Sequence, residues 1–162
     1  MASSSEQRPT AGLALVRVAT GALLTRSGLL GLPGEDTGGA YVRDSVEASL
    51  PDLPGLARWW GESVLLENPD AIAFLWKWLV LAAGLGLLFG ALTRPLGAIA
   101  TLLMLNAWLF GSAESALLHL LLAACCFGCF ISGAGRTLGL DVFLDSTLAS
   151  WITWSPKRKR GW

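Results

Sequence analysis

The chain has 162 residues, 53% of them hydrophobic and 15% charged, with 12 Lys and Arg against 12 Asp and Glu and a mean hydropathy of +0.55. That is too apolar for a soluble domain of this size, and it offers no basic groove with interleaved aromatics for nucleic acid. At about 20 residues per crossing there is length for four membrane spans and none for a large catalytic domain outside the bilayer. The expected fold is therefore all-α, an integral membrane bundle of four transmembrane helices, with lipid as its first partner.

Residues 1–10 (MASSSEQRPT) lack the basic start, apolar core and small-residue cleavage site of a secretory signal, so this segment is expected to be retained. Residues 11–31 form the first and weakest span, because Arg17 and Arg26 interrupt it, each costing about 2.5–3.5 kcal/mol at a span centre. The following segment, 32–71, is long for a connection in so small a protein. It carries Glu35, Asp36, Asp44, Glu47, Asp52, Glu62, Glu67 and Asp70. Its runs GGAYVRDSVEASL and PGLARWWGESVLL each offer a short amphipathic helix between Gly and Pro punctuation, which predicts a folded cap between helices 1 and 2.

Three further spans follow at 72–93, 96–112 and 115–133, with Pro95 separating two of them and GSAES the next two; such short connections make antiparallel neighbours. Residues 143–162 form a tail in which FLDSTLASWITW has helical spacing and precedes PKRKR, suited to anionic lipid or to an acidic partner subunit. Arg8, Arg94, Arg136, Lys157, Arg158, Lys159 and Arg160 fall on one side and Arg43 and Arg58 on the other. The positive-inside rule then places both ends in the cytoplasm and the cap outside it. Trp59, Trp60, Trp76, Trp78 and Trp108 map to the outer aromatic belt, and Trp151, Trp154 and Trp162 lie past the last span.

Counting depth at about 1.5 Å per residue puts Arg26, Lys77, Asn106 and His119 in the outer half of four different spans, with Glu114 at the rim. Intramembrane ionisable groups usually face a bundle interior, so these four are a candidate polar pocket. The competing account has Arg26 and Lys77 snorkelling separately to the interface and His119 as a hydrogen-bonded core residue. Arg17 lies deeper, and snorkelling is its simplest account. Gly86 and Gly90 have the small-xxx-small spacing of a close helix–helix approach. Cys125, Cys126 and Cys129 (CCFGC) lie in the inner half of the fourth span, where small apolar packing is the default and a redox dithiol the less favoured reading. With a single His and no second cysteine cluster, no metal site is expected.

Three stretches resemble the DoxX family of small four-helix membrane proteins: Arg17, Gly21 and Gly28 in RVATGALLTRSGLL; Gly90, Thr93 and Arg94 in GLGLLFGALTRPLG; and Gly133, Gly135, Arg136 and Asp141 in GAGRTLGLD. The resemblance covers the spans, assigned to 11–142 with the cap inserted, but not the outer loop. It implies a bacterial-type inner membrane protein and a subunit associated with a quinone-linked oxidoreductase, for example of sulfur compounds such as thiosulfate. Its cofactor would then be a quinone, with other membrane subunits as partners. The residues alone equally admit a non-catalytic accessory subunit of a larger respiratory or photosynthetic membrane complex. They place Arg94 and Arg136 at span ends, holding helix carbonyls or lipid phosphates.

Overall fold

The computed structural model describes residues 11–30 and 38–132, and among them every regular element is helical. The terminal segments 1–10 and 143–162, and with them Gly133, Gly135, Arg136 and Asp141, lie outside the described residues. The order is α1 (Ala11–Leu30), α2 (Gly38–Ser49), a 3-10 turn (Leu50–Asp52), α3 (Gly55–Trp60) running into a π-turn (Gly61–Leu65), α4 (Pro69–Phe89), α5 (Thr93–Phe110) and α6 (Ala113–Ser132). The four long helices close into a ring in which α1 packs on α4, α4 on α5, α5 on α6 and α6 on α1.

Three segments are long and apolar enough to cross a membrane: Gly12–Leu30, Pro69–Phe89 and Glu114–Ser132. Helix α5, 18 residues with Arg94 in its first turn, falls outside that set.

In α1 the buried positions are Ala14, Arg17, Thr20, Gly21, Leu24 and Gly28, a single stripe at helical spacing. The glycines in that stripe determine how close α4 comes. A Cβ at Gly21 would stand 2.8 Å from Leu88 Cα, and one at Gly28 would stand 2.8 Å from Leu81 Cα; from the other side, a Cβ at Gly84 would meet the Leu24 carbonyl carbon at 2.8 Å and the Thr25 amide. The pairs 21 with 88, 24 with 84 and 28 with 81 run in opposite directions along an antiparallel, backbone-to-backbone seam. In lipid, where helix association gains little from the hydrophobic effect, such contact is a principal source of attraction.

The Gly86/Gly90 reading is corrected by this geometry. Gly86 meets the side chain of Leu96, not a helix backbone, and Gly90 lies past the end of α4 at φ 67. There the Gly90 amide donates to Leu87 O at 3.2 Å and the Ala91 amide to Gly86 O at 2.8 Å, the paired bonds of a Schellman stop, which needs the left-handed conformation that glycine adopts without strain. Helix α4 therefore ends at Phe89, short of 93, and begins at Pro69, ahead of 72, because proline's fixed φ suits a first helical position. Leu92 follows in the left-handed region at φ 52, and Pro95 sits inside the first turn of α5, where its missing amide has no intrahelical acceptor to lose. The separator of these helices is the Gly90–Leu92 turn, not Pro95.

The main core, between the four long helices, contains Leu24, Val80, Ala83, Leu87, Met104 and Cys126 among others. A second, smaller core joins the α2–α3 segment to the ends of α4 and α5: Val46, Leu65 and Phe110 are buried, with Val42, Leu50 and Ile72 packed around them. Gly61 permits this, since a Cβ there would stand 3.1 Å from both Leu50 Cδ2 and Phe110 Cε1. Arg58 fastens the segment further, donating from Nε to Leu50 O and from a terminal guanidinium nitrogen to Pro51 O, each at 3.2 Å.

The seam predicts a graded response to added methyl groups. Gly21→Ala and Gly84→Ala should each lower stability by about 1–3 kcal/mol, as overpacking does. Gly128→Ala on α6, where a Cβ meets nothing within 4 Å, should leave the unfolding midpoint unchanged or slightly raised. Thermal unfolding of the three variants in one detergent, followed by circular dichroism, checks the ranking.

Candidate functional site

The end of the bundle that carries α2 and α3 holds a cavity of about 120 Å³. Its wall is built from four helices: Tyr41 and Ser45 come from α2, Trp76 from α4, Asn106 from α5 and His119 from α6, with Gly111 of the α5–α6 turn between the last two. Asn106 reaches it because it shares a face with Phe110, one turn further along α5. Helix α5 then stops at Gly111, in extended backbone at φ −84 and ψ 169. The short turn that follows is tied by the Ser115 amide to Ser112 O at 3.0 Å and by the Ser112 and Ser115 hydroxyls at 3.1 Å. This brings His119 back beside the end of α5, so that a Cβ at Gly111 would lie 3.4 Å from His119 Nδ1.

His119 Nδ1 is buried and has no hydrogen-bond partner among the described residues. An unsatisfied buried polar nitrogen costs about 1–3 kcal/mol. None of the described lining residues carries a permanent charge. The wall combines an amide that can donate and accept, an imidazole, and hydroxyls from Tyr41 and Ser45, on an otherwise apolar lining.

Of the four residues singled out by depth, the structure brings Asn106 and His119 to this one cavity, while Arg26 and Lys77 are absent from its wall. Arg26 is exposed on α1, and Arg17, nine residues earlier, is 1% exposed. Nine residues at about 100° each turn a helix through half a revolution beyond two full ones, so a helix whose glycine stripe faces inward must send these arginines opposite ways. Arg17 therefore does not snorkel: it lies inside the ring. Lys77 is half-buried and precedes Leu81 and Gly84 by four and seven residues, which places it on the face of α4 that turns toward α1. Depth alone does not distinguish these faces; the helical angle does.

Trp76 is a second correction. Trp59, Trp60, Trp78 and Trp108 are exposed, as belt residues are, but Trp76 packs against the main core and lines the cavity. It lies four residues before buried Val80, and that stripe faces the ring interior. Cys126 and Cys129 are buried in the same core and, like Cys125, are free thiols. No group of three or more metal-ligating side chains occurs among the described residues.

The other motif residues hold the scaffold. Arg94 donates from Nε to the Phe130 carbonyl at 3.3 Å near the C-terminal end of α6, and its guanidinium stands 5.7 Å from the Phe130 ring centre. Gly21, Gly28 and Gly90 make the seam and the helix stop described above. These residues carried the likeness noted in the sequence, and a family model for DoxX matches residues 12–113. The chain belongs to the DoxX family. The match spans α1 to α5 together with the α2–α3 segment, so in this DoxX protein Asn106 lies within the matched region and His119 beyond it. No curated protein and no solved structure matches the chain. With its three apolar helices, this DoxX protein is a membrane protein in contact with lipid.

Because Nδ1 of His119 lacks a partner, His119→Leu is expected to keep or raise the unfolding midpoint of the unliganded protein. Arg94→Ala, which removes the donor to Phe130 O, is expected to lower stability by about 1 kcal/mol. Thermal unfolding in a common detergent reads both.

Proposed function

We propose that this DoxX protein is the membrane subunit of a quinone-linked oxidoreductase and that the Asn106–His119 cavity receives the quinone ring. The observation that carries this reading is that an amide and an imidazole, the latter with a buried Nδ1 lacking a partner among the described residues, line one small cavity whose described lining residues bear no permanent charge. A quinone presents what such a wall recognises: a flat apolar ring with carbonyl oxygens that accept hydrogen bonds. An apolar cavity of about 150 Å³ is known to admit benzene, so one of about 120 Å³ is on the scale of a single ring.

Within that assignment, Asn106 donates its amide N–H to one carbonyl oxygen and so sets the ring's orientation. His119 holds a proton at the other oxygen, an imidazole being suited to transfer near neutral pH. The electrons for reduction come from a partner subunit. Sulfur-compound oxidation, implied by the family, belongs to that partner as well, since an anion such as thiosulfate finds no permanent positive charge among the described residues of this wall.

In the proposed topology α5 also crosses the membrane, as the third of four spans in chain order. About 27 Å of helix, packed between α4 and α6, nearly equals the hydrocarbon thickness of about 30 Å. The α2–α3 segment lies outside the cytoplasm, both ends lie inside it, and the membrane is the bacterial inner one. The basic residues near the ends support this orientation.

One observation favours the alternative of a non-catalytic accessory subunit: only 17% of the α6 span is buried, against 33% for the α1 and α4 spans. That leaves Leu117, Leu118, Leu121, Phe127 and Ile131 exposed, a face available to another membrane subunit.

The two readings diverge on ligand binding. In titrations of the purified protein with a benzoquinone, read by quenching of tryptophan fluorescence, Asn106→Leu and His119→Leu should each weaken binding by about tenfold or more, the worth of a hydrogen bond to a buried polar group. Thiosulfate should give no response. Wild-type affinity in both variants would remove the quinone assignment and leave the accessory role.

A further inference from the structure

The cavity is on the scale of a single ring, whereas a membrane quinone carries a long apolar tail. Resting on the quinone reading above, we infer that the groove between α3 and α5 seats that tail and is the route by which the ligand enters from the bilayer. A cavity of about 120 Å³, comparable with the about 150 Å³ that admits benzene, is taken up by the ring, which leaves the tail to be housed beside it. Asn106 and Phe110 line both this cavity and a second, larger space of about 620 Å³.

That larger space is an open groove whose wall includes Leu56, Ala57, Trp59 and Trp60 on the α3 side and Leu102 and Leu109 on α5. Asn106 is its one amide, and among the described lining residues none is charged. The head-binding residue thus stands at the joint between a polar-lined cavity and an apolar groove, the arrangement an amphiphile needs.

The groove stays open because α3 is held elsewhere. Arg58 ties it to the carbonyls of Leu50 and Pro51 at 3.2 Å, and Gly61 seats the following turn on Phe110. Helix α3 is therefore anchored at its ends to the 3-10 turn and the small core, leaving Leu56 82%, Trp59 57% and Trp60 42% exposed. These are side chains suited to the hydrocarbon boundary. Phe110, 5% exposed, is the partition past which a ring has to slide to reach His119.

The test uses the full-length protein in nanodiscs, titrated with a tailless benzoquinone and with its decyl-tailed analogue, both expressed as mole fraction in the bilayer and read by tryptophan quenching. In the wild type the tail should tighten binding by about tenfold. Ala57→Phe, which fills the groove, and Trp59→Ala, which removes part of its wall, should each reduce that advantage to about threefold or less while leaving the tailless affinity unchanged. A tail advantage equal to wild type in both variants overturns the inference and leaves the ring assignment standing. Failure of both quinones to bind, or tailless binding that ignores Asn106→Leu and His119→Leu, overturns the ring assignment and this inference with it.

Discussion

Contact between the backbones of α1 and α4 is the constraint on which the rest of this molecule depends. Gly21, Gly28 and Gly84 carry no side chain at the places where the two helices meet, and that absence fixes both the separation and the rotation of α1. Rotation is the consequential part. With the glycine stripe turned inward, Arg17 is drawn into the ring and Arg26 is sent out of it. A seam that looks like mere packing therefore decides which charges enter the interior and which never can.

Polar side chains of the bundle and of the α2–α3 segment are handled by the same economy. Arg94 binds the carbonyl of Phe130, and Arg58 binds carbonyls of the 3-10 turn, so two guanidiniums serve to satisfy backbone oxygens. Thr101 Oγ1 donates to Gly97 O at 2.7 Å within α5. His119 Nδ1 departs from this pattern, as do the Thr25 and Ser132 hydroxyls. What distinguishes His119 from those hydroxyls is its place: it lines a cavity with Asn106 at the end of the bundle that the α2–α3 segment covers.

The family likeness and the candidate cavity rest on different residues here. Gly21, Gly28, Gly90 and Arg94 carry the likeness to DoxX proteins and do structural work: two lie in the seam, one stops a helix, and one holds a helix end. The cavity draws on Asn106, Gly111, His119 and the α2 segment. Fold and chemistry are thus written in separate parts of the chain, as they are on any scaffold that hosts more than one activity.

Much of the architecture was legible in the sequence because hydropathy and punctuation are local. The membrane setting, the long helices to within a few residues and the two short helices of the α2–α3 segment all follow from apolar runs bounded by Gly, Pro and charge. The residues of the candidate cavity were half legible: counting depth along each helix found Asn106 and His119, since depth is a property of one helix. Depth could not sort Arg26 and Lys77 from them, nor place Trp76 inside the ring, because the direction a side chain faces is set by the helix it packs against. That is also why Gly84 rather than Gly86 makes the close approach. By itself the sequence determined what is buried in the bilayer and how far along each helix its polar groups fall; only the tertiary structure, through the contact of α1 with α4, decided which of those groups share a space.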